Sequence, residues 1–385
     1  MMNFSSFIMN TTCCTSSLIL YSNKVLMNEK NYIKNPQIFS TLVMCGAGIL
    51  SVVTILGNLL IIIAYFKSEK IRNISNVPIL SLAFTDMFIG FYPVTMNIME
   101  VALGYWPLGQ AMCSLTLVLD YVSIQTSINH IVLINFDRYF SIKYPIKHRL
   151  HQRTSMVIVK LLSVWVLAFI LWAPYINFYK YTSKKKTFSE NLCYKQFSKV
   201  GDVKFKKYFF VITSVLGYFL PLSIVIVIYG KMYFILRQQL YEAPKSFQLP
   251  SLVSNSTEGL SQFQSLPYSS DLKQGVYADI QTNRELLKKR QRIKRHQKAL
   301  KMIASIISAF LITGLPLNLQ WILVGICNKC YSRVLFDVCN FLTYPNSTVN
   351  PFLYAYVSRT FRQQFKQLLQ CNFNRKYSLD VKRNN

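Results

Sequence analysis

Acidic side chains are scarce in this 385-residue chain: 15 Asp and Glu stand against 43 Lys and Arg, a formal net charge of +28. Histidine is scarcer, at four residues, and none of the nine cysteines falls with a histidine at metal-ligand spacing, so no metal site is expected. The cysteines are also too scattered for a small disulfide scaffold. Charged residues make up 15% of the chain and hydrophobic ones 52%. A soluble protein seldom combines so apolar a composition with so large a net charge. A membrane protein does, because its spans carry no charge and its loops carry the Lys and Arg. The basic excess alone would suit nucleic acid, but the long apolar runs outweigh that reading and no nucleic-acid partner is expected. No nucleophile with a base and no metal cluster lies in those runs, which leaves an enzyme without support. There is no N-terminal signal peptide pattern: the first long apolar run starts near Ile38, lacks a small-residue cleavage site and reads as an anchor that stays.

What is present is an all-α pattern of seven apolar runs, predicted as spans over 38–66, 76–101, 110–136, 155–176, 208–228, 300–326 and 334–357. Residues 1–37 are polar and form an extracellular N-terminus with glycosylation sequons at Asn3 and Asn10. Residues 38–357 form the membrane domain. Lys67, Lys70 and Arg72 after the first run, and Lys143, Lys147, Arg149 and Arg153 after the third, place those loops in the cytoplasm. The outer loop over 177–207 breaks the charge rule locally with its lysines, a weaker signal in a long loop. Trp106, in a short outer connection, suits the membrane boundary. Residues 238–296 form a cytoplasmic third loop, Ser/Gln/Pro-containing and without helical period over 238–285, then strongly basic up to the sixth run. Residues 358–385 hold an amphipathic helix, with Phe361, Phe365, Leu368 and Leu369 against Arg359, Arg362 and Lys366 at a lipid interface, then a tail with Cys371 as candidate palmitoylation site.

The third run organises the rest. It is almost wholly apolar or small and carries one carboxylate, Asp120, an expensive group in hydrocarbon and therefore a functional one. It ends at Asp137-Arg138-Tyr139, roughly 27 Å further along a helix at 1.5 Å per residue. One rod thus joins a cation-binding acid to a charged triplet at the opposite face. A second isolated acid, Asp86, sits in the second run.

Gly57-Asn58, Leu82-Ala83-Phe84-Thr85-Asp86, Cys113, Asp137-Arg138-Tyr139, Trp165, Pro221, Pro316 and Asn350-Pro351-Phe352-Leu353-Tyr354 follow one another, about one motif per span. In that order they resemble the rhodopsin-class (class A) G protein-coupled receptors over about residues 40–371. Asp120-Tyr121-Val122, Leu171-Trp172-Ala173-Pro174, Asn318, Cys327-Asn328-Lys329-Cys330 and Asn346-Ser347-Thr348 are similar to aminergic receptors, above all the muscarinic acetylcholine receptors.

The resemblance implies a seven-transmembrane bundle in the plasma membrane with its N-terminus outside, binding a small cationic amine, acetylcholine first, and signalling through a heterotrimeric G protein. It assigns the ligand to Asp120, with Tyr121, Trp172, Phe341 and Tyr344 as an aromatic cage, Thr213 nearby and Asn318 as the partner of a carbonyl or ester oxygen. A quaternary ammonium cannot donate a conventional hydrogen bond, so aromatic faces must supplement the acid. Thr213 and Ser214 are adjacent and Gly217 lies one turn on, so the pair of hydroxyls that would grip a catechol is missing. Asp86, Ser127, Asn346, Ser347 and Asn350 resemble a sodium pocket, an allosteric ion being the only cofactor implied. At the inner face Arg138 is expected to pair with Asp137 at rest and to turn toward Tyr229 and Tyr354 on activation, while Tyr139 completes the triplet and Ile146 plugs the G protein. The resemblance also implies the disulfides Cys113 to Cys193 and Cys327 to Cys330, outside the cell, where oxidation persists.

The chain departs from the family pattern at Gly314, where a tryptophan usually stands, and at Leu317 and Asn340, where muscarinic receptors carry tyrosines. Those departures leave open a drifted ligand, altered basal activity or a deeper pocket below Gly314, and His296 replaces an acid that often opens the sixth helix. Histamine, octopamine, tyramine or serotonin remain alternatives to acetylcholine. Of the other classes, a retinal pigment would need a lysine within 334–357, where there is none, and a transporter would show a repeat between its halves.

Overall fold

The computed structural model describes residues 36–182, 193, 203–241, 270–326 and 333–370, and every element among them is helical. α1 is Pro36–Lys67; after a 3-10 turn at Ile74–Asn76 come α2, Val77–Phe91, and α3, Pro93–Leu103. α4 is Gly109–Lys143, α5 Pro145–His151 and α6 Thr154–Thr182. α7, Val203–Ser214, passes through a π turn at Val215–Phe219 into α8, Leu220–Tyr241. α9 is Ser270–Ile326, α10 Arg333–Phe341, α11 Pro345–Val357 and α12 Arg359–Leu369. Six of the described stretches are long and apolar enough to cross a membrane: 44–67, 74–103, 109–143, 154–174, 208–241 and 296–323.

The burial pattern is that of a bundle whose solvent is lipid. Leu42, Ile49, Val52 and Leu56 on α1, and Val159, Leu162, Val166 and Phe169 on α6, point outward and are exposed. Inside, α4 packs against α2, α6, α8 and α9 and is the central rod that its sequence suggests. Its buried side includes Thr116, Asp120, Ser123, Gln125, Thr126, Ser127, His130 and Asn135, so the middle of the bundle is its most polar part. Buried polar groups need partners, and neighbouring helices supply them. His130, for example, bonds the Thr126 carbonyl through Nδ1 and the Ser81 hydroxyl through Nε2, each at 2.8 Å, which ties α4 to α2.

Proline explains the interruptions. Pro93 removes a backbone donor after Tyr92, and the second expected span becomes two helices. Pro345 opens α11 after a turn over 342–344, so the seventh apolar run is likewise divided. Pro221 frees the carbonyl of Gly217, four residues back, and the Gln125 side-chain amide donates to it at 3.1 Å. Pro351 frees the carbonyl of Ser347, and the Asn58 amide donates to that one at 3.2 Å. Each kink therefore doubles as a helix-to-helix tie.

Three expectations are corrected. Residues 238–285 are not uniformly irregular: α8 runs on to Tyr241 and α9 begins at Ser270. Strong helix formers such as Glu285, Leu286, Leu287, Lys288 and Lys289 extend α9 by propensity, without the apolar period used to find helices. Trp106 is buried, 3% exposed, beside Cys193, and donates from Nε1 to the Gly109 carbonyl at 2.9 Å; it is a core residue of the outer end. In α12, Phe361 and Phe365 pack into the core with Ile61, Ile62 and Tyr354, so that face docks on α1 and α11, while Leu369 stays exposed. Ser358 caps the helix, its hydroxyl accepting from the Phe361 amide at 3.4 Å.

The crossing of α1 and α2 rests on a glycine. A Cβ on Gly90 would stand 3.1 Å from Thr54 Cβ and 3.2 Å from the Ser51 carbonyl oxygen, whereas one on Gly46 would meet nothing within 4 Å. Gly90→Leu is expected to cost about 1–3 kcal/mol in thermal unfolding of the detergent-solubilised protein. Gly46→Leu, on the outward face, is expected to change it by less than about 0.5 kcal/mol.

Candidate functional site

An outer cavity lies between α4, α6, α7, α9 and the α10–α11 turn. Among its walls are Tyr121, Trp172, Thr213, Asn318 and Trp321, with Tyr218, Phe310 and Gly314 at the lower end. The aromatic wall is a connected cluster. Tyr121 stacks on Trp172 at 4.6 Å between centroids, and Trp321 lies 5.7 Å from Trp172, 6.0 Å from Tyr121 and 5.5 Å from Phe210. Trp172 donates from Nε1 to Gln125 Oε1 at 3.3 Å, so its ring is held as well as packed.

Asp120 is buried, 2% exposed, immediately before Tyr121 on α4. The Tyr344 hydroxyl donates to its Oδ2 at 3.1 Å, and Asn97 Nδ2 donates to the Tyr344 oxygen at 3.3 Å, a relay from α3 through the α10–α11 turn to α4. Asp120 is not itself among the residues lining the cavity, and a carboxylate buried away from water attracts a cation more strongly than an exposed one. The expected cage is brought together in part. Tyr121 and Trp172 form it, but Phe341 and Tyr344 pack 6.1 Å apart in a separate cluster with Ala47, Ile89 and Val94, and neither is a wall of the cavity. Tyr344 serves the acid through its hydroxyl instead.

The sequence reading missed Trp321, which completes the wall, and Gln125, which binds α4 to α6 and to the π turn. The signal for Trp321 was a single large aromatic in the outer half of the sixth run, five residues past Pro316. Asn318 faces the cavity with Nδ2 donating back to the Gly314 carbonyl at 2.9 Å, which uses one of its two amide hydrogens. Thr213 faces it too, its hydroxyl bonded to the Phe209 carbonyl at 2.9 Å. The ring of Tyr218 lies directly against Gly314, and a separate, small apolar pocket lies below it among Ile128, Ile131, Pro221, Leu222, Ile306 and Phe310.

Lower in the bundle, Asp86 is wholly buried. Ser127 donates to its Oδ1 at 2.9 Å, Asn350 to its Oδ2 at 2.6 Å, and the Ser347 side chain also bonds the carboxylate. Asn346 stands apart from that group, lining the outer cavity, and its buried Oδ1 has no partner among the described residues.

At the inner end Asp137 pairs with His148 of α5, Nε2 to Oδ1 at 2.9 Å, not with Arg138. Pro145 starts α5 directly after α4, and this sets His148 within reach of the acid. Arg138 donates instead to Asn76 Oδ1 at 3.4 Å. Tyr139 and Tyr229 pack on an apolar seam of Ile142, Ile228, Met232, Leu236, Leu300 and Ile303 that closes α4, α8 and α9 together. Tyr354 is buried against Phe361 at 5.7 Å, and Ile146 is 76% exposed beyond the seam. The Cys113–Cys193 disulfide is formed and ties the outer end of α4 to residue 193. Asn3, Asn10, Cys327, Cys330 and Cys371 lie outside the described residues.

A family model described as "7 transmembrane receptor (rhodopsin family)" matches residues 57–354, well over half of the chain. The muscarinic acetylcholine receptor M2 of Gallus gallus is 25% identical over 470 aligned residues, covering 94% of this chain and 98% of that relative. The muscarinic acetylcholine receptor M4 of Gallus gallus is 24% identical over 475 residues, with 92% and 96% covered, and the M1 receptor of Homo sapiens 24% over 414 residues, with 86% and 89% covered. The family is one of receptors and not of enzymes, which agrees with the absence of catalytic groupings from the sequence. The apolar helices, the outer disulfide and the buried acids thus fit the match, and the chain belongs to the rhodopsin family of 7 transmembrane receptors as a class A, multi-pass plasma-membrane receptor most like the muscarinic ones.

Proposed function

We propose that this receptor binds a small cationic amine, acetylcholine first, at Asp120 and transmits the event to a heterotrimeric G protein. The observation that carries the reading is the buried Asp120 carboxylate one position before Tyr121, whose ring forms the aromatic wall with Trp172 and Trp321. The acid supplies the charge, and the aromatic faces suit a cation that cannot donate hydrogen bonds. Asn318, with a second amide hydrogen, suits an ester or carbonyl oxygen at the other end of the ligand. A second reading has support of its own. Leu317 and Asn340 stand where tyrosines would lid an acetylcholine site, and the amides of Gln125, Asn318 and Asn340 line the cavity, which suits histamine or another biogenic amine with donors of its own.

In the membrane α10 and α11 together make the seventh crossing, α12 lies at the cytoplasmic face, and the N-terminus is outside. The inner seam opens as α9 moves outward, Arg138 leaves Asn76 for Tyr229 and Tyr354, and a helix of the G protein enters beside Ile146. Asp86, Ser127 and Ser347, with Asn350 as the oriented neighbour, offer the hard oxygen ligands that a sodium ion takes, and such an ion would favour the resting state.

A calcium or cAMP assay in transfected cells, run with acetylcholine, histamine, octopamine, tyramine, serotonin and dopamine, tests the ligand. Acetylcholine is expected to act, and Asp120→Asn to weaken it by about 100-fold or more, the equivalent of roughly 3 kcal/mol. A response to another amine that is also lost in Asp120→Asn replaces the ligand and keeps the site. A response indifferent to Asp120 removes the site. For the ion, ligand-free signalling per receptor is expected to fall as sodium replaces a bulky organic cation, and Asp86→Asn to abolish that dependence; equal sodium sensitivity in both proteins would dismiss the ion.

A further inference from the structure

The lower end of the cavity is built by an exchange of bulk between two helices. Gly314, on α9, has no side chain to offer, and Tyr218, from the π turn, projects its ring into the gap. A Cβ on Gly314 would collide with Tyr218 Cε2 and stand 3.2 Å from Cδ2 and 3.3 Å from Cζ, so the ring lies directly against the glycine backbone. Tyr218 is 2% exposed. Its ring packs on Phe310, one turn before Gly314, with centroids 4.7 Å apart, and its hydroxyl donates to the Phe310 carbonyl oxygen at 3.1 Å. Tyr218, Phe310 and Gly314 all line the cavity, so whatever fills it rests on this assembly.

The π turn is part of the device. The Leu220 amide bonds the Val215 carbonyl, five residues back, and the wide turn sits just before Pro221. Gln125 locks the turn by donating to the Gly217 carbonyl at 3.1 Å, and a Cβ on Gly217 would stand 2.7 Å from Gln125 Oε1. The residue next to that lock is Tyr218. A buried hydroxyl bonded to a carbonyl of another helix, with its ring in a notch of the same helix, resists any rotation or outward movement of that helix until both contacts break.

We propose that Tyr218 is the floor of the ligand cavity and the latch that holds α9 against the α7–α8 helix at rest, in the space that Gly314 leaves. This deepens the receptor reading and rests on it, but needs no particular amine. Tyr218 is a positioning residue: a ligand acts on α9 by moving the ring, and the bulk of its lower end is limited by the ring.

The test uses the full-length receptor, with cell-surface number and ligand-free nucleotide exchange on a G protein measured together and exchange expressed per surface receptor. Tyr218→Phe keeps the ring and removes the hydroxyl bond, and is expected to raise ligand-free exchange about threefold to tenfold, the population shift that one lost hydrogen bond allows. A merely structural defect lowers the number of receptors without raising exchange per receptor. Gly314→Trp is expected to reduce surface receptor by about tenfold or more, as overpacking of a filled site does. The double variant Tyr218→Ala with Gly314→Trp is expected to restore it to within about twofold of the parent, since the two sites then couple. Ligand-free hydrogen exchange of the amides over 300–310 in the purified receptor gives a readout without any G protein, and faster exchange is expected in Tyr218→Phe. The proposal is overturned if the double variant is no better than Gly314→Trp alone, or if Tyr218→Phe leaves amide exchange over 300–310 unchanged. Faster amide exchange with no nucleotide exchange in any variant keeps the latch and removes the G protein from the proposed function. Failure of every amine to act on the parent removes only the proposed ligand.

Discussion

Backbone carbonyls freed by proline inside an apolar bundle are the constraint on which the structure depends. In hydrocarbon such a carbonyl needs a partner inside the protein, and at two of the prolines a side chain from a neighbouring helix supplies it. Asn58 meets the Ser347 carbonyl before Pro351, and Gln125 meets the Gly217 carbonyl before Pro221. The glycines near these bonds follow from them. Gly57 lets α1 come close to the ring of Pro351, which a Cβ would approach to 3.0 Å, and Gly217 leaves room for the Gln125 amide. A proline, an amide and a glycine on different helices therefore form one unit, and replacing any one of them strands the others.

The two isolated acids obey the same logic with charge added. Asp120 is held by the Tyr344 hydroxyl, itself steadied by Asn97, and Asp86 by Ser127, Ser347 and Asn350. In each case the donors come from other helices, so the energy of the acid depends on how those helices are arranged. An ion or an ammonium near such a group changes that energy, and the helices that supply the donors respond. Under the proposed function, this would let a site at one end of a rod report to the other without a continuous path of moving parts.

The spans were legible because lipid imposes a length and an apolar composition that chance does not supply, Asp120 because it stood alone in its run, and Asp86 because it sat deep inside one that holds Glu100 only at its end. Asn58, Pro221 and Pro351 were visible as positions, but which carbonyl met which amide was not, because partners such as Asn58 and Ser347 are 289 residues apart. The aromatic cage was half legible. Tyr121 and Trp172 were assigned from local motifs, whereas Trp321 belongs to it only because of how α9 is rotated, and Phe341 was lost from it for the same reason. The start of α9 over 270–285 escaped notice because it is helical by propensity and not by period. Gly314 read as a vacancy, since the residue that fills it comes from another helix.

At the inner end, polar pairs and an apolar seam hold different helices. With Asp137 bonded to His148, and Arg138 to Asn76, the charged triplet is fastened to α5 and to the start of α2, while α9 is held chiefly by the apolar seam of Leu300 and Ile303 against Ile142, Ile228 and Met232. Opening that seam exposes apolar surface, at roughly 25 cal/mol per Å² where water enters. Shifting a closed population to an open one takes a few kcal/mol of differential affinity, which under the proposed function an ammonium–carboxylate pair and a partner helix covering the seam would supply together. Packing along α9 resists such an opening, and above the seam the ring of Tyr218 in the notch of Gly314 is one contact that must yield before the helix can move.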